Sequence, residues 1–226
     1  MQNHSADPTV AVLRASYGPL RELVSGLGES DSWLPTGCEG WAARDLTHHH
    51  LGDARRALVA LHNPRLEPPD RDAVTYWQDW APEPIGAADG LRFTRVGASM
   101  FTQFEPLREL YLETTAAVLH AAAASGPEIP VATQGHVLLT RDLLSTLAVE
   151  ATLHHLDFLV AVPDAARPDP VALAHVRTIL DGLLGQPVPL PWDDEHYALA
   201  ATGRTALTAA ERLRIGGLAS RFPLFS

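Results

Sequence analysis

A chain of 226 residues with 27 acids against 17 bases, every base an arginine, has a formal charge of −10 and suits nucleic acid poorly, because phosphates need clustered cations. Its 46% hydrophobic and 19% charged content excludes a disordered chain and suffices for one domain, or one domain with a small appendage. With no uninterrupted apolar run near the ~18–20 residues that span a bilayer, no secretory pattern in MQNHSADP and Cys38 as sole cysteine, a cytoplasmic protein without membrane partners is expected.

Helical periodicity dominates the first 160 residues. From Pro8 to about Gly26, Val10, Leu13, Tyr17, Leu20 and Val24 recur at spacings of three and four, predicting an amphipathic helix that Gly18 and Pro19 could kink. Residues 28–40, with Ser30, Asp31, Ser32, Pro35, Gly37 and Gly40, read as a loop. A second helix is expected from about Trp41 to His62, with Leu46, Ala57, Leu58 and Leu61 on its apolar side. Residues 63–89 hold five of the 18 prolines and no stable period, so they read as a long connection whose Trp77 and Trp80 pack down on the helices.

A third helical segment covers about Ala88 to Ala124, with a break expected near Gly97 or Pro106. After a loop at Gly126–Pro130, a fourth helix runs from about Leu138 to Val162 and stops before Pro163. Past Pro168 the texture changes: Val171–Leu184 and Thr208–Ala219 read as helices, and His196–Ala201 as a short strand. The fold expected is mainly α, a four-helix bundle over residues 1–164 with residues 165–226 as a small α/β appendage packed on it.

The fourth helix carries the chemistry. At 100° per residue, Leu143, Leu147, Glu150, His154, Asp157 and Ala161 share one stripe, so a core-facing leucine row continues as glutamate, histidine and aspartate. An ionised carboxylate buried without compensation is costly, and a metal ion that takes carboxylate and neutral imidazole as ligands resolves that cost. Glu150 and His154, one turn apart, can reach one cation. The second helix offers a matching set in His48, His49, His50 and Asp53. With Leu46 at zero, Asp53 falls near about −20°, His50 near about 40°, His49 near about −60°, and His48 on the far side, facing solvent. Periodicity does not choose between His49 and His50, and makes His50 the more buried. Three protein ligands from two helices, with one position open, would make a catalytic site.

At these residues the sequence resembles a known family. The segment PTGCEGWAARDLTHHHLGD (Pro35–Asp53) is similar to the N-terminal motif of the mycothiol-dependent maleylpyruvate isomerases, which are DinB-like four-helix bundles. Its pattern of Trp, Asp and metal-binding His falls on Trp41, Asp45 and His49. VEATLHHLD (Val149–Asp157) resembles the second motif, in which Glu150 and His154 complete the site, and the ending TAAERLRIGGLASRFPLFS resembles the tails of actinobacterial members. The resemblance implies a divalent site, most often zinc, on His49, Glu150 and His154, with solvent or a thiol in the free position. It also implies a low-molecular-weight thiol such as mycothiol as cosubstrate. A bound cation favours the nucleophilic thiolate over the thiol. In an isomerase that thiolate would add to a conjugated cis double bond, permit rotation and leave; in a transferase it would attack an electrophile and stay attached.

Asp53 and Asp157 are then expected to orient ligands or touch substrate, as is Arg221, because the family carries a functional arginine near its C-terminus. His155 could also orient a ligand. Cys38 reads as a small buried hydrophobe, Arg55 and Arg56 as solvated rather than as binders of a substrate carboxylate, and His136, His175 and His196 as structural or exposed. The partners expected are a small electrophile and a thiol. Metal-bound water would instead make the site a hydrolase, and a closed coordination sphere would leave a non-catalytic metal or ligand binder.

Overall fold

The computed structural model describes residues 7–80 and 84–225. Its first helix, α1 (Pro8–Gly26), starts where Asp7 accepts from the Thr9 amide at 2.8 Å and Pro8 takes a first-turn position, where its missing N–H costs nothing. Pro19 lies inside α1, which continues past it to Gly26. Leu13, Tyr17, Leu20 and Val24 are buried as their spacing requires, each aliphatic side chain stabilising by ~1.5–3 kcal/mol.

Four helices make the bundle: α1, α2 (Ala43–Leu61), α4 (Phe104–Ala124) and α5 (Thr140–Ala161), with α3 (Pro84–Ser99) outside on α2. Within it α1 runs along α5 and α2 along α4, while α1–α4 and α2–α5 contacts close the square. The expected third segment is thus two helices, broken at residues 100–103, between Gly97 and Pro106. Pro106 falls in the first turn of α4, where no intrahelical partner is needed. Gly97 lies inside α3, and a Cβ there would stand 2.3 Å from the His48 ring. His48, expected to face solvent, is therefore half-buried under α3 and reaches Phe101.

The stretch before α5 forms an antiparallel hairpin that periodicity did not show, β1 (Pro130–Thr133) and β2 (His136–Leu139). Gln134 (φ 47°) and Gly135 (φ 86°) are both left-handed, the geometry of a two-residue hairpin turn. The proline-rich connection is stitched to this hairpin: Arg65 N–H donates to Pro130 O at 2.8 Å, and Asp70 takes the Val137 amide at 2.6 Å. Beyond it a 3-10 turn (Thr75–Asp79) buries Trp77 and half-buries Trp80, as expected.

Among the described residues of the C-terminal segment there is no strand. His196–Ala201 belongs to a helix, α7 (Asp194–Ala201), because Asp193 caps the His196 amide at 2.7 Å and two acids fill the first turn. Before it α6 (Pro170–Leu184) packs on α1 and α5; after it come α8 (Ala209–Ile215) and a 3-10 turn (Gly216–Arg221). One hydrophobic core runs from Val10 to Phe225, where Phe225 stacks on Trp77 at 4.6 Å. By length and composition α5 could cross a membrane, but it is the central helix here, with 89% of its most apolar window buried.

Candidate metal centre and its cleft

Because α2 and α5 lie side by side, the His49 and His154 rings meet edge to face, their centroids 5.0 Å apart. One nitrogen from each ring and one Glu150 oxygen lie within 4.8 Å of one another. Glu150 Oε2 is 3.0 Å from His154 Nε2, and Asp53 Oδ2 is 3.4 Å from His49 Nε2, each pair one helical turn apart. The phase of α2 is now fixed. His50 is buried toward Tyr111 and His154, as the helical wheel favours, while His49 is 26% exposed and opens toward solvent.

The loop before α2 clamps the end of α5. Gly37 N–H donates to Asp157 O at 2.9 Å, and a Cβ on Gly37 would fall 2.5 Å from Asp157 Oδ1, so only glycine fits without a shift. Trp41 then lies against His49, 5.0 Å between rings, and Asp45 accepts from the Ala42 amide at 2.9 Å, fixing the start of α2. Asp157 gathers three partners. Its Oδ2 takes the Nδ1 proton of His154 at 2.8 Å and the Cys38 thiol at 3.2 Å, and Arg204 grips both oxygens at 2.9 and 2.7 Å.

Burial alone would raise the Glu150 carboxyl, but the His154 hydrogen bond and the nearby imidazoles outweigh it and hold it below the usual range. Burial would lower His154, yet Cys38, Asp157 and Glu150 outweigh that and raise it. Asp157 is likewise held down, against burial, by His154 and Arg204. Burial pushes Asp53 up and His50 well down.

The residues fit a divalent cation. Two imidazoles and a carboxylate form the donor set of a borderline metal such as zinc, and Asp157 on Nδ1 fixes the tautomer that presents His154 Nε2. Buried Asp53 Oδ2 and His50 Nε2 have no hydrogen-bond partner beside this set, marking a polar interior that the protein atoms alone leave incomplete. The cluster forms the floor of a cleft of about 690 Å³, walled by Trp41, Trp77, Trp80, Leu91, Phe93 and Phe225. Such a site can hold a cation, one donor from solvent and a small organic molecule.

The sequence profile of the mycothiol maleylpyruvate isomerase N-terminal domain matches residues 13–158, taking in α2, α5 and the clamp between them. The chain belongs to that family. A crystal structure of the mycothiol-dependent maleylpyruvate isomerase carrying a histidine-to-alanine substitution aligns with TM-score 0.55 and 16% identity, over 76% of this chain and 68% of that one. A second crystal structure of the mycothiol-dependent maleylpyruvate isomerase gives 0.52 and 15% over the same shares. At that identity the two structures speak to the fold alone. No curated protein matches the chain significantly.

In this member of the maleylpyruvate isomerase-like family, His49, Glu150 and His154 come together, with Asp53 and Asp157 against them. Arg221 does not. Its guanidinium donates to the Leu184 and Leu183 carbonyls at 2.6 and 2.7 Å, closing the C-terminus of α6. The arginine at the cluster is Arg204, which sequence reasoning missed, because its Thr-Gly-Arg setting carries no periodicity. Cys38, expected as an inert hydrophobe, lines the cleft. His155 turns away to Ala166 O at 2.8 Å. Arg55 and Arg56 are both exposed, and Arg56 also pairs with Asp53 and borders the cleft. His136, His175 and His196 bond to Asp70, Ser145 and Glu211, which are structural roles.

Proposed function

We propose that this chain is a divalent-metal-dependent enzyme that uses a low-molecular-weight thiol of the mycothiol kind to isomerise a small electrophile, or to join that thiol to it through sulfur. The observation that carries the reading is the convergence of His49, Glu150 and His154 within 4.8 Å on the floor of an aromatic-walled cleft. Zinc is the cation that best suits this donor set, and when bound it would favour the thiolate of the cosubstrate. The chain's own residues do the rest. Asp157 and Arg204 hold the His154 ring so that Nε2 faces Glu150. Trp41 packs on His49, and the ring-lined walls give the reacting atoms a largely apolar surround. A lone cysteine and a reduced thiol partner suit the cytoplasm.

Metal analysis by mass spectrometry on untagged protein tests the site. One divalent ion per chain is expected, lost in His49→Ala, Glu150→Ala and His154→Ala while circular dichroism keeps the helical signal. Full metal content in these variants overturns the ligand assignment. Thiols are then supplied with small electrophiles, and turnover should require both metal and thiol; turnover with metal alone would make the protein a hydrolase.

A further inference from the structure

We infer that the electrophile is an uncharged, largely apolar molecule with a planar ring, and that the cleft disfavours substrate carboxylates. The inference rests on the thiol chemistry proposed above and deepens it by naming the substrate class. Two features of the cleft carry it, its walls and its charges.

The walls are rings. Phe225 stacks on Trp77 with planes 25° apart, half-buried Trp80 lines the same cleft, and Phe93 lines it with its side chain 77% exposed. A planar solute in the cleft gains offset or edge contacts with Phe93, Trp80 and the accessible edge of Phe225, and sheds apolar surface from water. A hydrated carboxylate in the same place loses solvent and needs a cation to replace it.

No unpaired guanidinium is left to do so among the described residues lining the cleft. Its two guanidiniums are both already paired with carboxylates: Arg204 with the two oxygens of Asp157, and Arg56, which is 48% exposed, with Asp53. His48 is turned against Gly97. Glu39 adds an exposed negative charge at the rim. On the floor, Glu150 and a thiolate together balance a divalent cation, so the occupied site presents no residual positive charge. A dicarboxylate would therefore meet a neutral floor, two neutralised arginines and a negative rim, while the protein as a whole carries −10.

The test is equilibrium dialysis with a matched pair of unreactive probes, benzylacetone (uncharged) and hydrocinnamate (its carboxylate counterpart). The full chain is loaded with zinc and held in saturating mercaptoethanol. Benzylacetone should bind at least ~10-fold more tightly. Phe225→Ala should weaken benzylacetone by ~10-fold, and Phe93→Ala, whose exposed ring contributes no core packing, by ~3-fold. Glu39→Gln should raise hydrocinnamate affinity and leave benzylacetone unchanged. Hydrocinnamate binding as tightly as benzylacetone, neither probe binding, or both ring variants matching the wild type overturns the inference. Zinc is measured on the same samples: its absence counts against the thiol chemistry, while the ratio of the two affinities alone decides the substrate class.

Discussion

Removing the Arg204 side chain takes from the buried carboxylate of Asp157 its counter-ion. Asp157 is 2% exposed and Arg204 18%, with two hydrogen bonds between them at 2.9 and 2.7 Å. Deleting one partner of a buried pair costs ~3–5 kcal/mol, because the other charge stays buried without its counter-ion. His154 and Cys38 still contact Asp157, so Arg204→Ala should fall at the lower end, near ~3 kcal/mol. For a chain of this size each kcal/mol moves the melting midpoint by ~2–4 °C, which gives a fall of about 6–12 °C. Adding Asp157→Asn removes the stranded charge, so the double variant should recover much of that loss. Thermal melts followed by circular dichroism measure both. A midpoint within about 2 °C of wild type for Arg204→Ala, or a double variant no better than the single, would refute the argument that the pair is buried and mutually dependent.

Three further outcomes follow from single contacts. Gly37→Ala should cost ~1–3 kcal/mol in urea unfolding, because its Cβ must displace Asp157, whose Cα also lies only 3.1 Å away; an unchanged midpoint would mean the loop moves freely. His50→Ala should destabilise by ~0.5–3 kcal/mol yet keep the metal that His49→Ala loses, and loss of metal in it would move the ligand to His50. Glu211 is held down to about 2 by the Thr208 hydroxyl and amide and by His196. A depressed carboxyl contributes stability above its unfolded value, near ~4.3, and loses it as the pH falls toward its folded value. Thr208→Ala should therefore flatten the fall of the melting midpoint between about pH 4.3 and pH 2, and an unaltered acid limb would refute the cap.

How far the sequence could be read depends on whether the deciding force is local. α6 was placed to within a residue, because Asp169, Pro170 and a left-handed Gly185 punctuate an apolar repeat. The stripe from Leu143 to Asp157 likewise identified the inward-facing acids of α5, Glu150 and the buried Asp157, since periodicity is a property of one helix. Misses came where partners are distant or punctuation was overlooked. The Asp-Asp-Glu start of α7 and the Gln134–Gly135 turn were readable cues passed over. The choice of His49 over His50 depends on which helices flank α2, so the family motif made it where the helical wheel did not; that of Arg204 over Arg221 depends on how the segment after α7 folds back to Asp157, which leaves no trace in local spacing.

The pairing of α1 with α5 also bears on how the chain is made. Synthesis proceeds from the N-terminus, and α5 begins only at Thr140. Until that helix leaves the ribosome, Leu13, Leu20 and Val24 lack the neighbour that covers them in the finished bundle. Fragments that stop at the hairpin would expose this leucine stripe and associate with one another or with a chaperone, whereas extension through Ala161 lets the four-helix unit close.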